Sequence, residues 1–523
     1  MKITHYLVAI KLTFLLLIVL QSPAYPLRNA DPVDQEFGRK NNTLVKPKYN
    51  RNTVLRNPLN GWVMYAARTA EPSYWDTELY VADLGKKVKV IDYASAVYIR
   101  TSWSSLNPSE GVYTWNDPNT QIGRLIKGAK DRGLPLAFRI VVDGRDQGLN
   151  TPEYVFQAGA ASYVENSNFP NRITPLPQDP IFQKYYTKFI EAFAADFNDP
   201  AITSFIDAYG LGKWGEAHNV IYEDPNIATP ANTEKLKEEV FDWVTDLYAG
   251  TFNKIPLVIN YHRLVGHPES WGGVNPNSEK LLVKAINKGY SIRSDAFGMN
   301  DYYGDWERQF ANSWNFKRPI IMEGGWIISS HRYWNDPKGY RQGHPEDVRQ
   351  GEFDASAEGH VNMMDFRAGS ETTSWFENAY GLVQRFVAEG GYRLYPDLVS
   401  LAQNLEVGSE VTISHRWRNM GWGYLPNNIP QWNHKYKVAF ALLDKDNNVV
   451  KTYVDQSSEP ADWIKDKPVS YDLKVKIDVK AGDYSWAIAI VDTSKDNIPG
   501  IKLAVNEEET PQGWTKLMDV VVK

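Results

Sequence analysis

Eight short runs of apolar and β-branched residues, separated by amphipathic stretches, are what most restricts how this chain folds. The runs are 61–67 (GWVMYAA), 94–103 (ASAVYIRTSW), 134–142 (LPLAFRIVV), 204–210 (SFIDAYG), 256–262 (PLVINYH), 295–302 (DAFGMNDY), 319–324 (PIIMEG) and 360–366 (HVNMMDF). Strand-like runs that alternate with helix-like stretches are joined by crossovers rather than hairpins, and crossovers set strands in parallel. Segments 120–132, 180–197, 233–248, 278–288, 306–316 and 345–358 carry the helical pattern. Asn232-Thr233 before Glu234 and Asn277-Ser278 before Glu279 are helix-start signals. Eight such units predict an α/β fold, a (β/α)8 TIM barrel with long loops.

After a last helical stretch at 376–389 the texture changes at Gly390-Gly391. Runs 410–419 (EVTISHRWRN), 436–444, 449–454, 471–477, 484–491 and 517–522 follow without helices, punctuated by turns at Asp446-Asn447-Asn448 and Gly482-Asp483. That pattern predicts a C-terminal β-sandwich. The expected organisation is a signal peptide over 1–24, a polar segment over 25–56, the barrel over 57–395 and the sandwich over 396–523.

Lys2 and Lys11, the apolar run 12–20 and the small residues of Ser22-Pro23-Ala24 form the export signal. The run is about half the roughly 20 residues that span a bilayer, so a soluble periplasmic or extracellular product with no transmembrane segment is expected. The chain has no Cys, which excludes disulfides, thiolate metal sites and a cysteine nucleophile. A net charge of −6 with no basic stripe argues against nucleic acid as a partner. Aromatic residues make up 13% of the chain, and Trp306, Trp314, Trp326, Trp334 and Trp375 lie in polar contexts. Flat rings at a cleft stack on the apolar faces of sugars, although each ring alone is equally suited to packing.

In a barrel of this kind reacting groups stand at the C-terminal ends of strands. The fourth run leads into Tyr209-Gly210-Leu211-Gly212-Lys213-Trp214-Gly215-Glu216-Ala217-His218, and the seventh ends Met322-Glu323-Gly324-Gly325-Trp326. Acidic residues after strands are often helix caps or salt-bridge partners, but two that face each other across a barrel mouth suit glycosidic cleavage. One carboxyl protonates the leaving oxygen while the other attacks the anomeric carbon.

The stretch Pro108-Ser109-Glu110-Gly111-Val112-Tyr113-Thr114-Trp115 resembles the P-x-E-G-x-Y-x-W loop of clan A glycoside hydrolases, beta-galactosidases among them. The resemblance implies retention, with Glu216 as acid/base and Glu323 as nucleophile. Gly212-Lys213-Trp214-Gly215-Glu216, with Trp417-Arg418-Asn419-Met420-Gly421 in the tail, is similar to secreted bacterial barrel-plus-sandwich proteins of unassigned function. Clan A enzymes place Asn before the acid/base, where it contacts the sugar 2-OH; this chain has Gly215.

The resemblance also gives Arg100 a donor role toward the nucleophile, and Tyr302 or Tyr303 is a candidate for the same role. Trp103, Arg139, Asp143, Trp214, His218, Asn260, His262, Asn300 and Trp326 complete the expected substrate-binding set, each with a structural hydrogen bond or packing role as its alternative. No G-x-S-x-G, H-E-x-x-H or P-loop motif occurs. Neither a cofactor nor a metal is expected, since a zinc site on His218 and His262 lacks a third ligand. The expected function is a secreted glycosidase acting on an oligo- or polysaccharide. The alternatives are a glycan-binding protein on a barrel scaffold, or a polysaccharide lyase or esterase.

Overall fold

The structure, a computed structural model, describes residue 37 and residues 42–66, 72–145, 148–224, 233–266, 273–275, 277–298, 302–327 and 346–523. The export segment, Asn300 and Trp334 lie outside them. Eight strands, Gly61–Ala66, Ala94–Ser102, Leu136–Val141, Thr203–Asp207, Leu257–Asn260, Tyr290–Ser294, Ile320–Met322 and Met363–Asp365, pair in parallel in chain order, and the eighth closes on the first. The protein is a (β/α)8 barrel with further antiparallel sheets after it. Between the first and second strands the described residues form a hairpin, Glu78–Val81 with Lys86–Lys89, in place of a helix.

Local chemistry explains the crossovers. Thr120 caps helix Gln121–Asp131 through Oγ1, which accepts from Gly123 N. Asp179 caps Pro180–Phe197 by accepting from Ile181 N and Phe182 N, with Pro at the first helical position. Asn277 stands at the start of Ser278–Asn287 without capping it; its amide donates to Glu234 at 2.8 Å. The sixth strand corrects the expectation of 295–302. Tyr290–Ser294 fills that place, and residues 295–298 belong to the loop that follows.

Alternation sorts the strand residues into two cores. Trp62, Met64, Val97, Ile99, Phe138, Ile259 and Met364 pack outward against helices. Val63, Ala96, Ala137, Phe205, Val258, Ile321 and Met363 point inward.

The C-terminal strands form two sheets. One contains Leu394–Ala402, Glu410–Asn419 and Val469–Lys476, and takes Asn42–Val45 as its edge, so the polar N-terminal segment supplies a strand to the far end of the chain. The other contains Asn404–Leu405, Thr515–Val522, Gly482–Asp492, Tyr436–Leu443 and Val449–Asp455, with Ile498–Ile501 paired beside it. Trp417, Phe440 and Trp486 pack in the apolar cluster that these sheets share with the barrel interior.

The segment leaving Asn419 seals the N-terminal end of the barrel, opposite the mouth formed by the C-terminal strand ends. Trp422 Nε1 donates to Val361 O at 2.8 Å, Asn362 donates to Leu59 O and Tyr424 O, and Gln431 donates to Gly289 O. Trp422 and Trp432 are therefore buried packing residues, 6% and 4% exposed. No helix among the described residues is long and apolar enough to cross a membrane. Trp422→Ala empties a cavity against Phe353 and Phe386, and we expect it to lower unfolding free energy by about 3–5 kcal/mol in denaturant titration.

Candidate active site

One step up the barrel interior the chemistry inverts. Above the apolar layer, Arg139, Asp207, Arg293, Glu323 and Asp365 point inward from strands three, four, six, seven and eight, joined by Arg367 just beyond the eighth strand, and all are buried. Buried charge is expensive unless paired, so the pairing defines the site.

Glu323 is the centre of it. Arg139 grips both oxygens, Nη1 to Oε2 and Nη2 to Oε1, each at 3.1 Å. Arg293 closes on Oε2 and Arg367 on Oε1. These N···O contacts number four, which is about the number of lone pairs a carboxylate offers. Burial alone would raise the Glu323 carboxyl, but Arg139, Arg293 and Arg367, with Arg100 farther off, hold it far below the usual carboxylate range. Arg100 lies in register with Arg139, yet its side chain makes no hydrogen bond among the described residues; Arg139 and Arg367 donate to Glu323 in its place, and Arg293 pairs with it. Tyr302 likewise turns to Glu216 and His218, and Tyr303 bonds Tyr261.

Glu216 is delivered by a strained loop. Trp214, Ala217 and Asn219 all adopt positive φ, interleaved with Gly210, Gly212 and Gly215. Such clustering of left-handed residues is typical of functional loops held by their surroundings. Asn260 Nδ2 donates to Glu216 O at 3.1 Å, and Arg145 clamps the loop by reaching Asn219. The carboxylate pairs through Oε1 with Arg139 at 3.1 Å and through Oε2 with His218 Nε2 at 3.1 Å. Burial opposes its ionisation, but Arg139 and His218 outweigh that and hold Glu216 below its ordinary value. A Cβ at Gly215 would meet the Arg139 stem at 3.4 Å, so Arg139 takes up the space beside this glycine.

Asp295, read from sequence as the start of a strand, stands at the end of one. One carboxylate oxygen from each of Glu216, Asp295 and Glu323 lies within 4.8 Å of the other two. Asn260 links two of them, since its Oδ1 accepts from Asp295 N at 3.1 Å while its Nδ2 holds Glu216. Asn260 is thus a buried cross-link at 1% exposure. Arg293, Arg367, Asp207 and Asp365 also escaped the sequence reading; the available signal was a charged residue at or just after the C-terminal end of a barrel strand.

The remaining candidates separate cleanly. His218, His262 and Tyr302 form a cluster with ring centroids 5.5–6.2 Å apart, and Trp214 packs at its edge. Burial, then the charges of His218 and Arg263, hold His262 well below its ordinary value and keep it neutral. Trp326 lies over Arg367 at 4.9 Å, beside Glu323. Trp103 is excluded from the site: it is 0% exposed, packed on Phe182, Tyr186 and Phe189. Asp143 is consumed by Arg145 and Thr174 and braces the loops. A divalent cation among Glu216, Asp295 and Glu323 would have to displace guanidinium contacts on Glu323, so the donor set does not suit one.

Behind Glu323 a second buried network sets the following loop. Glu352 accepts from Gly325 N at 2.8 Å and pairs with Arg349 at 2.6 Å, while Arg349 also reaches Glu371 and Ser374.

No family model matches the chain, and no curated protein matches it. Among solved structures it is similar to a trimodular GH5_4 subfamily endoglucanase, at 10% identity over 83% of this chain and 76% of that one, TM-score 0.36. It is also similar to endo-glycoceramidase II from Rhodococcus sp., at 13% identity over 82% and 99%, TM-score 0.36. The Pseudomonas stutzeri endoglucanase Cel5A aligns at 10% identity over 65% and 95%, TM-score 0.35. Likenesses this distant bear on neither substrate nor mechanism.

Two outcomes test this geometry. A Cβ at Gly212 would sit 2.3 Å from His218 O, whereas at Gly215 the nearest atom is the flexible Arg139 stem. Gly215→Ala is expected to cost about 1–2 kcal/mol of left-handed strain, and Gly212→Ala distinctly more, read from denaturation midpoints.

Burial pushes the Glu352 carboxyl up to about 7, with Arg349 and Gly325 N–H opposing. The folded chain then keeps a proton that the unfolded chain releases near pH 4.5. Stability from this group is fully present below that pH and is lost as pH rises through about 7. Between about pH 5 and about pH 8 wild type should lose more stability than Glu352→Gln; parallel curves would refute the assignment.

Proposed function

We propose that this protein is a secreted glycoside hydrolase that cleaves with retention at the C-terminal mouth of its barrel, with Glu216 and Glu323 both in its reacting centre. The observation that carries the reading is the convergence of Glu216, Asp295 and Glu323, one oxygen of each within 4.8 Å of the other two, which gives Glu216 a neighbouring carboxyl near the roughly 5–5.5 Å separation of retaining enzymes rather than the wider inverting one. Trp214, Trp326 and Tyr302 border the carboxylates and suit the stacking and hydroxyl contacts of a sugar ring.

The contacts favour a particular division of labour. Glu323 accepts three guanidinium hydrogen bonds, two from Arg139 and one from Arg367, with Arg293 paired to Oε2 as a further charge contact, and it fixes the arginines as a permanent anion. Glu216 Oε2 is bonded to His218 at 3.1 Å and to Tyr302 at 3.5 Å, while Oε1 pairs with Arg139 alone among the described residues and keeps a lone pair to attack an anomeric carbon. The resemblance implied instead that Glu216 donates the proton; Arg139 and His218 favour the ionised form of that residue, which leaves the proton to another group.

A panel of aryl glycosides and polysaccharides tests the function directly. Glu216→Gln should lose at least about three orders of magnitude in kcat/KM with an unchanged melting temperature. Glu323→Gln should lose activity and also about 3–5 kcal/mol of stability, because three buried guanidiniums lose their shared anion. If every linkage stays intact with wild type while glycan still binds, the binding-protein reading replaces this one. Unsaturated or deacylated products would point to a lyase or an esterase.

A further inference from the structure

Three carboxyls converge at the mouth, and the roles above employ two. Asp295 is the third, and its contacts differ from those of its neighbours. Its Oδ1 takes one N–H, from Arg367 Nη2 at 2.9 Å, and its backbone N–H is held by Asn260 at 3.1 Å. Among the described residues no hydrogen-bond donor reaches Oδ2. Its side chain is 9% exposed, against 2% for Glu216 and 0% for Glu323, so it presents the most surface of the three. A carboxylate with one donor, facing two anions within 4.8 Å, is poorly stabilised in its charged form. A neutral carboxylic acid in the same place offers an O–H.

We infer that Asp295 is the proton donor of the proposed glycosidase, passing the proton from Oδ2 to the glycosidic oxygen while Glu216 attacks; this rests on the glycosidase reading. In the first half-reaction the Asp295 O–H bond breaks as the C1–O bond breaks. The aglycone leaves as an alcohol, C1 becomes esterified to a Glu216 oxygen, and Asp295 is left as a carboxylate. In the second half Asp295 takes a proton from water while the water oxygen attacks C1 and the ester bond to Glu216 breaks. The sugar departs as a hemiacetal, and both carboxyls return to their starting states.

The charge pattern supports this cycle. Burial, then the charges of Glu216 and Glu323, push Asp295 well above the usual carboxylate range, with Arg367 and Arg139 opposing. Esterification of Glu216 removes one of those two negative charges just when Asp295 must carry its own.

The experiment compares kcat/KM for two substrates that share the sugar turned over best in the panel, one with a dinitrophenyl and one with an alkyl leaving group. Asp295→Asn should keep kcat/KM for the dinitrophenyl glycoside within about tenfold and lose at least about a hundredfold on the alkyl glycoside. It should also lose the alkaline limb of the wild-type pH profile. Glu216→Gln should lose both substrates alike. An infrared difference spectrum, wild type minus Asp295→Asn at neutral pH, should contain a protonated-carboxyl band. Equal losses on both substrates, a selective loss in Glu216→Gln instead, or a missing band overturns the role of Asp295 and leaves the glycosidase reading standing. A wild type that cleaves no glycoside overturns both. If Asp295→Asn does not fold, wild type alone decides: the dependence of kcat/KM on leaving-group acidity must steepen above the alkaline limb, and a constant slope overturns the proposal.

Discussion

The clamp of three guanidiniums on Glu323 is the interaction on which the rest of this site depends. Arg139 comes from the third barrel strand, Arg293 from the sixth and Arg367 from the end of the eighth, so one carboxylate on the seventh ties together half of the barrel wall. Such pairing is a poor source of net stability, because desolvating the ions offsets most of their attraction. Its consequence is order: charges that cannot reorient in solvent are preorganised for whatever charge develops next to them.

That order spreads outward through shared partners. Arg139 serves Glu323 and Glu216 together, so the position of one carboxylate constrains the other. Asn260 spans Glu216 and Asp295, and Glu352 holds the backbone beyond Glu323 through Gly325 N. The left-handed residues around Glu216 persist because these contacts and the Arg145 clamp over-determine the loop. At the opposite end, Trp422 and Asn362 close the barrel against the sheets, which separates that packed end from the charged network at the mouth.

Much of the architecture was legible because hydrophobic period is a local property. Helix 180–197 and strand 410–419 match their expected limits, since Asp179-Pro180 and the alternation of EVTISHRWRN are complete signals by themselves. The sixth strand was missed for a physical reason. Ser291 and Arg293 point into the barrel, so YSIRS lacks the apolar run that marks a strand, while Ala296 and Phe297 in the following loop imitate one. Trp103 looked like a cleft residue because it follows a strand, yet its ring turns outward into the helix layer.

The sequence by itself determined the barrel, the β-rich tail and the placing of Glu216 and Glu323 after two parallel strands, because periodicity and strand ends are written in neighbouring residues. Only the tertiary structure decided which charges meet. Arg139, Arg293, Arg367 and Asp295 lie on separate strands, and their pairing with Glu216 and Glu323 arises from barrel closure and register. The ionisation of each carboxyl follows from burial and from how many guanidiniums reach it, and neither quantity exists until the chain has folded.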